Sequence, residues 1–194
     1  MTLHNISVII TVITPYGFGQ SMKHDKLITA MTSSEHHDWA TPPNFVRFLE
    51  HYFYLEFDLD AAADIFNTKA PIFFSKAENS LFQNWFGNVW LNPPYGKNQS
   101  VWIEKCILES KKLAVDEIFV LIPARTDTKM FHELIIPHAS EIYFIKGRIN
   151  FSRGQDNEGT ALFPSMLVRF NSNNPVFPGR YYSLEVPISS RRFE

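Results

Sequence analysis

Asn92-Pro93-Pro94-Tyr95 combines residue types suited to one reaction, methyl transfer to a planar amino group. The Asn92 amide offers a neutral carbonyl that can hold an N–H without removing its proton. The prolines hold φ at about −65° and remove backbone donors, so neighbouring carbonyls stay free to face a ligand. Tyr95 presents an apolar ring on which a flat base can lie. An amino group on an aromatic ring is a poor nucleophile because its lone pair is delocalised. Two acceptors, Asn92 Oδ1 and the Pro93 carbonyl, would grip both N–H bonds and draw the nitrogen toward tetrahedral geometry. Attack on a sulfonium methyl needs no strong base, since the leaving group departs neutral, and alignment supplies much of the acceleration. A base in duplex DNA would have to leave the stack to reach such residues. The simpler use of the same tetrad is a Pro-Pro turn between strand and helix.

Other residues could support that chemistry. Asp58, Asp60 and Asp64 surround the end of a short apolar segment, where they could bind an amino group and ribose hydroxyls. Acids at a strand-to-helix turn would equally serve a helix N-terminus. The run Asp60-Ala61-Ala62-Ala63-Asp64 has small side chains that permit close approach, but no GxGxxG motif occurs, which argues against a dinucleotide fold. Arg125, in Pro123-Ala124-Arg125-Thr126-Asp127-Thr128, could contact phosphate or a base edge. Arg148, in Gly147-Arg148-Ile149-Asn150-Phe151, opens a polar loop that could approach DNA. Arg180, Arg191 and Arg192 make the tail basic and read as solvated charges. The 7 His fall in no ligand spacing and the single cysteine, Cys106, has no partner, so no metal and no disulfide are expected.

These residues need a frame. The 194 residues, 45% hydrophobic and 20% charged, suit one globular domain with a substantial core. A net charge of −2 removes any global signature of nucleic-acid binding, so a DNA-binding face would have to be local. Ile6 to Ile13 is apolar but too short to span a membrane, and no signal-peptide pattern surrounds it. A reducing cytoplasm is expected. Residues 1–36 read as an extension of uncertain order, 37–172 as the main domain, and 173–194 as a tail packed on it or extending it.

From Trp39 onward, apolar runs alternate with helical spacing. Thr41-Pro42-Pro43 reads as a helix start with Thr41 as cap, followed by Phe45, Phe48, Leu49 and Tyr52. Strands are expected at 55–59, 71–74, 89–91, 118–122, 142–145 and 166–170, with a helix over 101–114 whose inward candidates include Trp102, Cys106 and Leu113. The expected architecture is a three-layer α/β/α domain with a mostly parallel sheet and an antiparallel edge. Ligands in such sheets bind beyond the carboxyl ends of the strands, where the tetrad would lie.

With these residues in place, the chain resembles the DNA N6-adenine methyltransferases of bacteriophages and prophages. The resemblance runs from Trp39 to Phe170. It is carried by Trp39-Ala40-Thr41-Pro42-Pro43, Phe57-Asp58-Leu59-Asp60-Ala61-Ala62-Ala63, Phe73-Phe74-Ser75-Lys76, Asn79-Ser80-Leu81, the tetrad, and the Arg125 and Arg148 segments. It implies a Rossmann-like methyltransferase fold, S-adenosylmethionine as donor and adenine in double-stranded DNA as acceptor. By likeness, Thr41 and Pro42 lie against the cofactor, and Asp60 and Asp64 sit by its methionine or ribose end. Phe74, Asn79 and Leu81 would line its adenine pocket, although related enzymes commonly carry an acid where Asn79-Ser80 stands. The interval from Asp60 to Asn92 is short for the family, implying a trimmed strand–helix unit. Alternatives are an amino-methyltransferase of protein glutamine or RNA, and a catalytically silent DNA-binding relative.

Overall fold

A computed structural model describes residues 40–96, 98–152, 158–160, 163–171 and 180–191; the expected extension 1–36 lies outside them. In chain order, the main sheet takes up β1 (Leu59–Asp60), β2 (Ile72–Phe73), β3 (Gly87–Leu91), β4 (Val115–Pro123) and β5 (Glu141–Ile145). After β5, β6 (Asn150–Ser152) and β7 (Glu158–Thr160) form a separate antiparallel hairpin, and β8 (Ser165–Phe170) and β9 (Tyr181–Leu184) return to the main sheet. The order across that sheet is β2-β1-β3-β4-β8-β5-β9. Neighbours pair in parallel except at β8, which runs against both β4 and β5. Between β1 and β3 the chain builds only β2 and the 3₁₀ turn Ser80–Phe82, so the shortened interval carries no α-helix.

β4 shows why the domain has three layers. Its side chains alternate, with Ile118, Val120 and Ile122 entering one core cluster and Phe119 and Leu121 the other. The first cluster is closed by α2 (Gln99–Glu109), through Ile103, Cys106 and Ile107, and by the helical segment carrying Phe131 and Ile135. The second is closed by α1 (Pro43–Phe53), through Phe45, Val46 and Leu49. Trp90, one face of β3, is fully enclosed with Phe45 and Phe57 at ring-centroid distances of 6.4 and 5.5 Å. Burying a side chain of that size stabilises the fold by about 3 kcal/mol. It also anchors β3 two residues before Asn92.

Three expectations are corrected. The reversed strand is not at an edge: β8 lies between β4 and β5. Its burial explains this, since Ser165 to Val168 and Phe170 are all buried, whereas β9 at the edge exposes Tyr181, Tyr182 and Ser183. The remaining side chain, Arg169, is tied to Glu117 on β4 and Glu141 on β5. Thr41 does not cap α1, whose N-cap is Pro42 with no side-chain cap bond. The second helix ends at Glu109 rather than near Ala114, and Leu113 is fully exposed in the turn that enters β4. There the Glu109 carboxylate accepts from the Trp85 backbone N–H at 3.2 Å and pairs with Lys105 and Lys112.

Candidate active site at the carboxyl ends of the strands

Because β1 to β5 run parallel to one another, the loops that follow them meet on one rim of the sheet. The reversed β8 starts at that same rim, where the Ala124 N–H donates to the Pro164 carbonyl at 2.8 Å. Asn92, Pro93, Pro94 and Tyr95 leave β3 there. Asn92 is half-buried, Pro93 buried, Pro94 exposed and Tyr95 half-buried.

Asn92 is held from a distant part of the chain. Its Nδ2 donates to Thr41 Oγ1 at 3.2 Å, across 51 residues of sequence, and Thr41 is itself buried. An amide whose nitrogen is turned to one neighbour has its carbonyl turned the other way, so the bond to Thr41 directs Asn92 Oδ1 away from Thr41. Pro42 is also buried, and Ala40 through Pro42 lead into α1 beside β3.

Tyr95 stands in an aromatic corner. Its ring meets Phe151 edge-on at 6.4 Å and Phe163 at 5.7 Å. Its hydroxyl is enclosed and has no hydrogen-bond partner among the described residues. That burial pushes the phenol well above its ordinary range, so it stays neutral. An enclosed polar atom left without a partner is uncommon in folded proteins and suits a place where a ligand's polar edge arrives. Phe151 falls within a motif read from the sequence, but without a role; Phe163 carries no local signal at all. Only the return of β8 to the rim brings it to Tyr95.

The acids divide. Asp60 is buried at the end of β1, its carboxylate accepting from the Ala62 N–H at 3.2 Å and the Lys69 N–H at 2.9 Å. Burial pushes its carboxyl up to about 6, against the pull of the two backbone N–H groups and the Lys69 charge. Lys69, overlooked in the sequence, is half-buried, and burial lowers its ammonium below the usual lysine range. Asp64 is exposed and closes its own turn, accepting from the Phe66 and Asn67 N–H groups at 2.7 and 3.1 Å. Asp58 is not brought to the rim. It precedes β1 and binds the Asn88 N–H at 2.8 Å, at the opposite, amino end of β3. There Gly87 has φ of +61°, and any Cβ on it would collide with the Asp58 carboxylate. Asp58 therefore ties β1 to β3 at the end remote from Asn92.

Phe74 follows β2, half-buried, and its backbone clasps β1: its N–H donates to the Asp60 carbonyl at 3.0 Å and its carbonyl accepts from Ala63 at 3.1 Å. Asn79 is exposed with φ of 49°, an αL position that asparagine tolerates, and starts the turn carrying half-buried Leu81. Arg125 and Arg148 are exposed on loops of the same rim, after β4 and β5. Among the described residues, no three His, Cys, Asp or Glu side chains are grouped as metal ligands, and no helix is long and apolar enough to cross a membrane.

A half-buried amide held by Thr41, an aromatic corner and a buried acid on the adjacent strand thus share one rim. Residues 29–175 match the family described as DNA N-6-adenine-methyltransferase (Dam). The chain is 34% identical over 141 residues to a DNA N-6-adenine-methyltransferase of Haemophilus phage HP1, covering 71% of this chain and 80% of that protein. It is 31% identical over 150 residues to a protein of the same name from Escherichia phage T1, covering 64% of this chain and 60% of that one. With a match spanning most of its length and motifs gathered at a single rim, the chain belongs to the Dam family of DNA N-6-adenine-methyltransferases.

Proposed function

We propose that the chain transfers a methyl group from S-adenosylmethionine to N6 of an adenine turned out of double-stranded DNA, on a Rossmann-like methyltransferase fold. The observation that carries this reading is the Asn92 amide, oriented by Thr41 beside the Tyr95 corner. Asn92 Oδ1 and the Pro93 carbonyl accept the two N6 hydrogens, and Tyr95 meets the base. The residues around β1 fit the donor: Asp60 is a buried acid, Ala61 to Ala63 are small, and the Ala61 N–H bonds the Trp90 carbonyl at 2.9 Å. The donor-side and acceptor-side loops are therefore immediate neighbours. The donor supplies an electrophilic methyl on a sulfonium whose sulfur leaves with the electron pair as a neutral thioether. The chain's part is to align the nitrogen with that methyl and to let the surplus N6 proton pass to solvent. Phe74, Asn79 and Leu81 are assigned to the donor's adenine end, Asp64 to its ribose or methionine end, and Arg125 and Arg148 to DNA. The test is sequencing of DNA from methylation-deficient bacteria expressing the chain. N6-methyladenine at a defined motif is expected; unmodified DNA from folded, donor-binding protein would overturn the reading.

Thr41→Val keeps the shape of the side chain but removes the acceptor for Asn92 Nδ2. One hydrogen bond of this kind is worth about 1 kcal/mol, so kcat is expected to fall roughly fivefold. Thr41→Ser should retain most activity. Equal turnover of the valine and serine variants would show that the bond does not orient the amide.

Asp60 makes donor binding sensitive to acid. Its carboxyl lies at about 6 in the folded chain, against about 3.9 in an unfolded one. The folded state thus holds the extra proton between those values, and the stability due to Asp60 is greatest at low pH and declines as pH rises through about 4 to about 6. A cationic or hydroxyl-bearing donor favours the ionised form, so affinity runs the other way. It is expected to be level above about pH 7 and, for a ligand that binds only the carboxylate, to fall roughly tenfold per unit below about pH 6. Calorimetry across that range, with Asp60→Asn beside the wild type, reads the effect; a flat wild-type profile would remove Asp60 from the donor site.

A further inference from the structure

After β5 the chain turns through Gly147, with φ of +89°, and the space its missing side chain leaves is filled by the Arg191 guanidinium. A Cβ on Gly147 would overlap Arg191 Nη1. Arg191 ends the 3₁₀ turn Ile188–Arg191, which packs on α1 just past the rim end of β9. The sequence reads it as one more solvated charge of the tail. In the fold it is half-buried, its Nε is enclosed without a hydrogen-bond partner, and no carboxylate pairs with it among the described residues. Enclosing an N–H without a partner is unfavourable, and more so when the group is charged. An anion reaching the guanidinium would relieve that cost.

The surroundings indicate which anion. Arg148, next to Gly147, is exposed on the same loop. Four residues after Gly147 that loop delivers Phe151 to the Tyr95 ring. Four residues of chain span at most about 14 Å, which corresponds to roughly four steps along one DNA strand at 3.4 Å each. Arg191 therefore stands within a few nucleotides of the place assigned to the target base. With a net charge of −2, the chain draws phosphates in through local cations rather than a global field.

We propose that Arg191, seated on Gly147 and flanked by Arg148, is a phosphodiester-binding site for the strand that carries the target adenine. The proposal rests on the DNA reading above. A guanidinium fork pairs with two phosphate oxygens at once, and its seat on Gly147 restricts its motion before DNA arrives.

The experiment is fluorescence anisotropy of the full chain with a labelled duplex, titrated over about 50 to 200 mM salt. Removing one phosphate contact reduces the slope of log affinity against log salt by about 0.9. Arg191→Gln is expected to show that reduction, with a five- to tenfold loss of affinity at low salt on the order of one contact. Gly147→Ala, which keeps the charge but removes its seat, should lose affinity to a similar degree. Lys111→Gln, an equal charge change in the exposed turn before β4, should leave the slope unchanged. The other anion in reach is the carboxylate of the donor, so donor affinity is measured by calorimetry for each variant and is expected to stay at the wild-type value. Melting temperatures close to wild type ensure that the differences reflect binding. An unchanged slope in Arg191→Gln overturns the proposal while leaving the DNA reading in place. So does an equal loss in Lys111→Gln, or a fall in donor affinity with DNA binding intact. Wild-type protein that binds no DNA overturns both.

Discussion

Alanine at Asn92 is expected to abolish methyl transfer while binding of the donor and of DNA is largely kept. In the proposed reaction the side chain supplies one of two acceptors that hold the reacting amino group. Losing one pre-positioned hydrogen-bonding group at a reacting centre costs on the order of 10²–10³ in rate. Misalignment of the nitrogen with the methyl adds to that loss. Folding should survive, because Asn92 is half-buried and follows the buried part of β3, and its bond to Thr41 accounts for only about 1 kcal/mol. Single-turnover methylation with labelled donor, alongside calorimetry and a melting curve, separates these effects. A folded Asn92→Ala protein with wild-type turnover would remove the tetrad from the chemistry. A protein that no longer folds would make it a structural turn.

Arg169→Ala is expected to give the largest loss of stability, about 3 kcal/mol or more, because it leaves two carboxylates facing each other across the middle of the sheet. In the wild type, Arg169 Nε donates to Glu117 Oε2 at 2.9 Å and Nη1 to Glu141 Oε2 at 2.5 Å, with Nη2 also on Glu117. The guanidinium lies 5.6 Å from the centroids of both Phe53 and Phe119. Tyr143 and Asn171 complete the acceptors' environment, donating to Glu141 and Glu117 at 2.9 and 2.8 Å. Urea midpoints at constant slope measure the loss. Changing all three members, to Met at Arg169 and Gln at Glu117 and Glu141, should recover most of it, since the unpaired charges vanish with the pair. A loss below about 1 kcal/mol in Arg169→Ala would mean that the ion pairs are effectively solvated and that apolar packing alone seats β8.

Much of this arrangement is legible before folding. Val89-Trp90-Leu91 is a local apolar run ending at prolines, so a buried strand that stops there follows from composition alone. The alternation of such runs with the helical spacing of Phe45 and Leu49 indicates an α/β domain, and both residues are in the core. Where the expectations went astray, a local pattern was asked to report a distant partner. Thr41 has the type and position of a helix cap, but its hydroxyl is used by Asn92. Asp58 and Asp60 are two residues apart and chemically alike. A strand of only two residues, Leu59–Asp60, leaves one acid at the amino side of the sheet and the other at the rim.

The sequence by itself determined the chemistry on offer: an amide, two prolines and a ring after a buried strand, and the family to which those motifs belong. Those properties reside in consecutive residues, where backbone restriction and hydrophobic periodicity act. Only the tertiary structure decided that β8 enters the sheet between β4 and β5, that Phe163 thereby reaches Tyr95, and that Arg191 lies on Gly147. An apolar run states that a strand is buried but not beside which strand. That choice is made by contacts such as Arg169 with Glu117, whose partners stand 52 residues apart.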